Sequence, residues 1–569
     1  MALQLSPGVQ VSEVDLTTVV PSVLTTAGAF AGNFSWGPVN KVITIDSEIS
    51  LGQRFAPNGP DANSYLSFFT SANFLAYGNN LSVVRAVGAN SYNATSNTVS
   101  NTTTQIQNSD VFQASYLTSG ASNALGPFTA KYPGSLGNSL AVAVCANTSL
   151  FSTWAYSSYF PSAPNTSSYV AGENGANDEI HIAVIDASGA ITGTAGTVLE
   201  TYPFVSKAVD AINLNDGSSN YYKQVIFNKS KYIFAVDPVN YATTSATWGK
   251  TGINTTFANL ASNYYVQLGS GTDDVGTDAT NITAWSLFTN KDTYDINLVV
   301  TGAASIAVQQ YVIDNIVNAR QDCVAFISPP SSAVVNQSGS EASNITTWLA
   351  SLARSSSYVV ADSGWKYQFD KYNNTFRWIP LNGDIAGLCV YTDSVRDPWF
   401  SPAGFNRGAI KNAIKLAWNP SKTFRDTLYN AGVNPVVSFP GQGIVLYGDK
   451  TLQSKPSAFD RINVRRLFIV LEKTIATAAK YSLFEFNDSF TQSQFTSLVT
   501  PFLRDVQGRR GITDFKVVCD STNNTPGVID ANQFVGDIYI KPARSINYIQ
   551  LNFVAVGTGV DFTTVVGAV

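Results

Sequence analysis

Residues 295–330 read DINLVVTGAASIAVQQYVIDNIVNARQDCVAFISPP. The apolar run at 295–302 is typical of a buried strand, and residues 307–320 repeat apolar side chains at the three- and four-residue spacing of a helix. Residues 322–330 form a second short apolar run that ends in two prolines, which indicates another strand. Strand, helix and strand in this order predict a βαβ unit, and therefore a parallel sheet in an α/β domain.

The rest of the chain surrounds this unit with segments of different composition. At 569 residues the chain is too long for one hydrophobic core. Residues 90–109 consist almost entirely of Ser, Thr and Asn, which is typical of a linker into a separate region. That region is predicted to be β-rich, with short strands such as EIHIAVID (179–186) and KQVIF (223–227).

We therefore expect a multidomain protein of mixed α/β and α+β class. Its parts are an extended N-terminal arm at 1–22, a discontinuous α/β domain at 23–88 and 290–452, a β-rich insertion at 89–289 and a C-terminal domain at 453–569.

Charge and hydropathy exclude several classes of partner. The net charge of −5 and the pI near 5.1 argue against nucleic acid. The longest apolar runs, about seven residues, are far below the ~20 that span a bilayer, so no membrane insertion is expected. The N-terminal residues lack the pattern of a standard export signal, and we expect a soluble protein. The four cysteines lie far apart without metal-site spacing, which predicts buried thiols in a reducing compartment.

Basic charge is concentrated in one predicted helix. Residues 459–484 read FDRINVRRLFIVLEKTIATAAKYSLF and contain no Pro or Gly, so a helix should begin near Asp460. The window from Lys455 to Lys480 holds six cations against two acids, in a chain whose net charge is −5. At 100° per residue the charges after Asp460 share one face, and an apolar stripe occupies the other. That stripe comprises Val464, Leu467, Phe468, Leu471, Ile475 and Ala478.

Ile462 and Ile469 lie in the middle of the cationic face, and this admits two interpretations. A solvated amphipathic helix could cover both isoleucines with arginine stems. Alternatively, the face could dock on an acidic partner, with Ile for buried contact and Arg for bidentate pairing with carboxylates. The docking residues would then be Arg461, Ile462, Arg465, Arg466, Ile469 and Lys473.

Several blocks of sequence, in a fixed order, carry a resemblance to one family. They are SPGVQVSEVD (6–15), AGAFAGNFSWGPVNKVITI (27–45), FTAKYPGSLGNSLAV (128–142), WIPLNGDIAGLCVYTDSVRDPWFSPAG (378–404), LYNAGVNPVVSFPGQGIVLYGDKTL (428–452), INVRRLFIVLEKTI (462–475) and IDANQFVGDIYIKPARSINYIQLNF (529–553). In this order they resemble the tail sheath proteins of contractile-tailed bacteriophages and related contractile injection machines. Two departures are Tyr447-Gly448-Asp449-Lys450, where the family often has Trp-Gly-Ala-Arg, and Phe400-Ser401-Pro402, where it often has Lys before Ala-Pro-Ala-Gly.

The resemblance implies a structural subunit that forms stacked hexameric rings, assembled as a helical sheath around a tail tube. Contraction of the sheath would drive the tube through a bacterial envelope and deliver the genome. The implied partners are further copies of the chain, the tail tube protein, and the baseplate and tail terminator proteins, in a virion assembled in the host bacterial cytoplasm.

The resemblance also implies an architecture. The C-terminal domain is the inner core, completed by the N-terminal arm; the middle α/β domain is subtilisin-like without a catalytic triad; and residues 89–289 lie outside. The basic helix is expected to meet the tube through exposed charges, so Arg465→Glu with Arg466→Glu should leave the subunit folded but uncoupled from the tube.

Alternating apolar residues near both chain ends predict strands that pair with neighbouring subunits, since a terminal strand can add to a foreign sheet edge. The predicted contacts are Val9, Val11, Val14, Ile549, Leu551 and Phe553. The alternative is that these residues form edge strands of their own domain.

Enzymatic motifs are weak throughout, and no catalytic, cofactor-binding or metal-binding residue is predicted. His181, the one histidine, lies in the predicted insertion rather than in the α/β domain where a triad would need it. The segment WGKT (248–251) lacks the first glycine of a phosphate-binding loop, which is Thr244 here. GSGTDDVGTD (269–278) lacks the spaced ligands of a calcium loop.

The competing function is a surface adhesin or carbohydrate-binding protein acting through 89–289, a segment that a sheath should not need for polymerisation.

Overall fold

A computed structural model describes residues 23–551 apart from 58–61, 98–102, 122 and 245. The strands are β1 (Gly28–Asn33), β2 (Ile43–Ile45), β3 (Leu81–Ala86), β4 (Phe128–Ala130), β5 (Leu140–Cys145), β6 (Glu179–Asp186), β7 (Thr197–Ser206), β8 (Ile233–Ala235), β9 (Tyr264–Gln267), β10 (Leu298–Val300), β11 (Val324–Ile327), β12 (Val359–Asp362), β13 (Trp365–Asp370), β14 (Thr375–Pro380), β15 (Lys415–Leu416), β16 (Val433–Asn434), β17 (Val436–Phe439), β18 (Gly443–Leu446), β19 (Ile512–Val518) and β20 (Asp537–Pro542).

The α-helices are α1 (Glu48–Phe55), α2 (Ala62–Leu75), α3 (Ser109–Ser115), α4 (Ser168–Gly172), α5 (Tyr222–Lys229), α6 (Tyr241–Thr244), α7 (Asp278–Ser286), α8 (Ile306–Tyr311), α9 (Asn318–Arg320), α10 (Ser331–Val334), α11 (Glu341–Leu352), α12 (Asn382–Val395), α13 (Lys422–Asn430), α14 (Ile462–Ala479), α15 (Ser489–Gly508) and α16 (Pro526–Asp530). A π-helical turn, Val312–Val317, joins α8 to α9, and a 3-10 turn, Lys480–Ser482, follows α14.

A seven-stranded sheet in the order β16-β12-β11-β10-β1-β3-β2 forms the middle of the molecule. Its neighbouring strands are parallel except for β2, which is antiparallel at one edge. The stretch at 295–330 supplies β10, the helical segment from α8 to α9, and β11, so the predicted βαβ unit is confirmed. The strands of this sheet come from both sides of residues 89–289.

Helix α12 packs against α2 at a separation that only glycine allows. A Cβ atom added to Gly383 would lie 2.5 Å from the Thr70 carbonyl oxygen, and one added to Gly387 would lie 2.4 Å from the Tyr77 ring. Because the two glycines are four residues apart, they lie on one face of α12. Leu388 and Cys389 of the same helix belong to a buried core that includes residues of α2 and of the sheet.

Residues 89–289 form an antiparallel four-stranded sheet, β7-β6-β5-β9, and the small sheet β4-β8. The predicted strand at 179–186 is confirmed as β6, whereas the predicted strand at 223–227 is wrong because these residues lie in α5. Val225 and Ile226 lie on the buried side of this short helix. Tertiary packing therefore overrides the preference of a short apolar run for a strand.

The insertion is packed closely against the middle domain. Arg85 of β3 is buried and donates hydrogen bonds to the carbonyls of Phe34 and Gly37, at 2.7 and 2.9 Å, and to that of Pro133 in the insertion, at 2.8 Å. Trp36 stacks edge-on against Tyr132 across the same boundary. These contacts hold the two parts in one arrangement.

Helices α14 and α15 and the hairpin β19–β20 make up the C-terminal part. Leu467 and Leu471 of α14 share a small core with Leu503 and Val506 of α15. The four cysteines are free and buried, as the sequence predicted.

Candidate functional site

Helix α14 is covered on two sides rather than one. Four residues of the predicted apolar stripe are buried: Val464, Leu467, Leu471 and Ala478. Leu467 and Leu471 belong to the C-terminal core, so the prediction that this side of the helix is buried is confirmed for these residues. On the other side, Ile462 and Ile469 are only 1% and 5% exposed and belong to the core of the middle domain. The prediction that these two isoleucines lie on an open docking face is wrong.

Arg466 supplies the clearest contact of the supposedly exposed face. Its guanidinium donates two hydrogen bonds to the Asp393 carboxylate of α12, at 2.8 and 2.7 Å, and both side chains are buried. The Thr25 hydroxyl donates to the same carboxylate at 2.7 Å, so the first described residues are fastened at this point. Burial is the largest single effect on Arg466 and lowers its pKa, but the Asp393 charge, the neighbouring Cys389 thiol and the hydrogen bonds to Asp393 together raise that pKa above its ordinary value.

The other three cations of the predicted docking set also contact their own chain. The Arg465 guanidinium lies between the rings of Tyr358 and Phe459, at 4.2 and 3.9 Å from their centroids, and it is buried. Lys473 pairs with Asp295 beside β10. Arg461, which is partly exposed, lies over Tyr429 and has its Nε 3.8 Å from Asp449.

The sequence therefore predicted which contacts the cationic face of α14 makes, but not that the middle domain of the same chain makes them. Arginine does meet a carboxylate in a bidentate pair, and isoleucine is buried beside it, yet the acidic partner is the middle domain of the same chain. A helical wheel shows which residues share a side and not what covers that side. Changing both Arg465 and Arg466 to Glu would bury uncompensated negative charge against Asp393, so we expect that double variant to be destabilised rather than folded and merely uncoupled from the tube.

The turn after α14 carries an exposed aromatic surface that the sequence reasoning missed. Tyr481, Leu483, Phe484, Phe486 and Phe490 are all largely exposed, with Phe486 at 84%. Phe484 has a φ of +71°, in the left-handed region that a bulky residue rarely adopts. The signal was present in the sequence as aromatic residues at short spacing among acids. We call residues 481–490, which run from the 3-10 turn to the start of α15, the aromatic loop. Exposed apolar surface of this kind marks an interaction site.

The chain end presents a second exposed apolar surface. Residues 544–551, the last that the structure describes, form neither helix nor strand, and Ile549 and Leu551 are each 71% exposed. The alternative of an edge strand in their own domain is therefore wrong for these two residues. Phe553 and the N-terminal Val9, Val11 and Val14 lie outside the described residues. Among the described strands, the hairpin β19–β20 pairs with no third strand, so both of its edges are open.

The residues of the weak enzymatic motifs have structural contacts. His181 is buried; its Nε2 lies 2.7 Å from the Ser162 carbonyl and its Nδ1 accepts from the Phe204 amide at 3.1 Å, and burial lowers its pKa. Residues 248–251 lie in a turn that precedes no helix of a phosphate-binding loop. Asp273 and Asp274 accept hydrogen bonds from Ser135 and from the amides of Asn90 and Gly276.

A sealed polar network lies at the carboxyl ends of β11 and β12. The Ser328 hydroxyl donates to the Asp362 carboxylate at 2.6 Å, and Asn382 donates to Ser328 at 2.9 Å. Burial raises the pKa of Asp362 to about 8. Nearby, the buried Lys366 ammonium donates to Asp384 at 2.9 Å. All of these groups are closed off from solvent, so they have no direct access to a substrate.

Within the described ranges, no helix is long and apolar enough to cross a bilayer. The same residues contain no group of three His, Cys, Asp or Glu side chains that could hold a metal ion.

Comparisons with known proteins agree across the whole chain. A family model described as "Phage tail sheath protein central domain" matches residues 273–452, and one described as "Phage tail sheath C-terminal domain" matches residues 454–555. The tail sheath protein of Vibrio phage KVP40 is 36% identical over 99% of this chain and 100% of its own length. That of Enterobacteria phage T4 is 33% identical over 99% of both chains.

Two solved structures share the fold. A sheath tail protein from Listeria innocua superposes with a TM-score of 0.53 at 10% identity, covering 92% of this chain and 96% of that one. The helical sheath of the anti-feeding prophage in its contracted state gives a TM-score of 0.50 at 12% identity, covering 97% of this chain and 99% of that one.

Proposed function

Because this chain belongs to the tail sheath protein family of bacteriophages, we propose that it polymerises as stacked hexameric rings around a tail tube and contracts to drive that tube through a bacterial envelope. The observation that carries this proposal is the match to sheath proteins over essentially the full chain. Genome delivery is the purpose of the movement, and the work comes from assembly contacts rather than from catalysis.

Two exposed features of the C-terminal part support the assembly role. The tail from Ile546 to Leu551 leaves its apolar side chains in solvent, and the hairpin β19–β20 has open edges. We infer that the tail of one copy adds a strand to the sheet of a second copy, with the residues at 1–22 acting in the same way from the other end. Backbone pairing of this kind keeps subunits linked while they move.

The contact with the tube is assigned to a different surface from the one the sequence indicated. Ile462, Ile469, Arg465 and Arg466 are buried within the subunit, which favours another surface for the tube contact. The aromatic loop that follows α14 remains exposed, and we propose that it meets the tube. An apolar contact should resist salt, whereas exposed ion pairs are screened over about 8 Å at physiological ionic strength.

Further parts of the proposal follow from family membership. The middle domain is a subtilisin-like α/β unit without a catalytic triad, and residues 89–289 face outward. The remaining partners are the baseplate and tail terminator proteins, in a virion whose sheath is assembled in the host bacterial cytoplasm. No cofactor is required.

Negative-stain electron microscopy of the purified chain tests the proposal. Striated hollow tubes are expected as concentration rises, at low and at high salt, with and without tube protein. The paired change Phe484→Ser and Phe486→Ser should leave empty sheath formation intact and abolish co-assembly with tube. Tyr159→Ser, an exposed aromatic residue of the insertion, is the matched control and should co-assemble normally.

Particles that stay monodisperse at every concentration, even with tube protein present, would contradict the polymerisation proposal. Normal co-assembly of the paired aromatic-loop variant would instead contradict the assignment of the tube contact alone.

A further inference from the structure

The root of the C-terminal tail is held by side chains rather than by sheet pairing. The Ser545 hydroxyl donates to Oδ2 of Asp449 at 2.7 Å, and the Asn547 amide donates to Oδ1 at 2.9 Å. The same Asn547 amide lies 3.2 Å from the Tyr429 hydroxyl. The Ala543 amide, just upstream, donates to the Gly511 carbonyl at 3.1 Å. The backbone of the described tail is therefore fixed up to Asn547, while its apolar side chains are exposed from Ile546 onward.

Asp449 is itself rigidly placed. It is 1% exposed and lies between β18 and α14, where its carbonyl accepts from the Ile462 amide at 2.8 Å. The Tyr429 hydroxyl donates to its carboxylate at 3.3 Å, and Arg461 lies nearby as a counter-charge. A buried carboxylate needs donors, and the tail supplies one to each of its two oxygens.

We propose that Asp449 is a positioning residue that clamps the root of the C-terminal tail, so that the chain from Ile549 onward leaves the subunit at one fixed point toward a second copy. This inference rests on the proposed sheath function.

The physical benefit of the clamp is entropic. A tail that is free from Ala543 onward must be ordered when it pairs with a neighbour, and each ordered residue costs conformational entropy. A tail already fixed to Asn547 avoids that cost for its root and samples a smaller volume. Pairing with a second copy is thereby favoured without any additional contact in the interface.

Limited trypsin digestion below the polymerisation concentration tests the clamp directly. Arg544 is exposed, and cleavage after it releases the tail as a fragment whose mass identifies it. Asp449→Ala should release that fragment tenfold or more faster than the unchanged protein, because it removes both tail hydrogen bonds and the loss of one charge-assisted hydrogen bond alone is expected to give about a tenfold change. Asp449→Asn, which keeps an acceptor for Ser545 and places an amide against Asn547, should fall between the two.

Asp426→Asn is the matched control, because Asp426 is an exposed carboxylate on α13, one turn from Tyr429. It should be cut at the unchanged rate. If Asp449→Ala fails to fold, Ser545→Ala with Asn547→Ala removes the same contacts from the tail side and should give the same acceleration. Equal release rates in the unchanged protein and in that double variant would overturn the clamp.

A polymerisation assay then distinguishes failure of the clamp proposal from failure of the proposed sheath function. If the unchanged chain forms tubes, the clamp variants should need a higher concentration to do so, and an unaltered onset would overturn the positioning role. If the unchanged chain forms no tubes at all, the sheath proposal fails, whereas the clamp is still judged by the digestion rates.

Discussion

At the scale of single residues, the pair formed by Arg466 and Asp393 joins three segments that are distant in sequence. It connects α14 to α12 and also receives the Thr25 hydroxyl, so it fixes the point from which the N-terminal part departs. Asp449 does the same for the other chain end. Both ends of the described chain therefore leave from buried carboxylates.

Removing one member of this pair should destabilise the subunit strongly. Arg466→Met leaves the Asp393 charge buried without its partner, which costs about 3–5 kcal/mol in the free energy of unfolding. Lys541→Met is the control, because its ion pair with Asp514 is exposed and should contribute little to stability. Urea unfolding followed by tryptophan fluorescence measures both, and equal small effects would show that Arg466 is not the anchor that its burial indicates.

Asp362 makes stability depend on pH in a direction opposite to that of most carboxylates. Its pKa in the folded protein, about 8, lies above the ordinary value of 3.8, so between these values the folded state holds a proton that the unfolded chain has lost. Its contribution to stability is therefore lost as pH rises through that window. Asp362→Asn should have a melting temperature that falls less than that of the unchanged protein between pH 5 and pH 8. Parallel pH profiles would mean that Asp362 does not titrate in this range.

At the scale of elements, the sequence was most informative where a local hydrophobic pattern also determined which element lies next to it. The βαβ unit at 295–330 was predictable because strand and helix periods differ and a parallel pair requires a crossover. The prediction of a strand at residues 223–227 was wrong because a run of five residues is too short to distinguish the hydrophobic period of a strand from that of a helix. Helix α14 was predicted with its inner stripe, but the burial of Ile462 and Ile469 depends on the middle domain, which no local pattern reveals.

The packing of α12 on α2 gives a prediction at this scale. Gly383→Ala would place a Cβ atom against the Thr70 carbonyl, and the helices must separate to admit it. Overpacking of this kind costs about 1–3 kcal/mol, which should exceed the gain in helix propensity from Gly to Ala. Gly508→Ala, at an open position of α15, should be neutral or slightly stabilising. Thermal unfolding distinguishes the two, and an unchanged melting temperature for Gly383→Ala would contradict the close approach.

At the scale of the whole molecule, the insertion and the middle domain form one body. The sequence had suggested that residues 89–289 could be removed from a sheath without loss of polymerisation, and that in an adhesin they would be the acting part. Their removal would instead expose Trp36 and the buried guanidinium of Arg85. The insertion is thus part of the subunit's framework, so its deletion is a poor test of either function.

Arg85→Met tests this integration. It leaves the carbonyls of Phe34, Gly37 and Pro133 without their charged donor, and it should destabilise both parts together. Hydrogen exchange read at β6 and at β10 should accelerate in parallel, by about tenfold or more for each lost charge-assisted bond. Acceleration confined to β6 would show that the insertion opens independently.

The burial of all four cysteines makes the subunit suited to optical study of its own movement. Burial raises the pKa of Cys389 to about 12 and raises the pKa of the other three thiols as well, so little thiolate is available to react. A cysteine introduced on the exterior, for example at Tyr159, would therefore be the preferred target for a maleimide dye. Donor and acceptor dyes on mixed subunits could then report the change in spacing between neighbours as a single sheath shortens, in real time and without removing any native thiol.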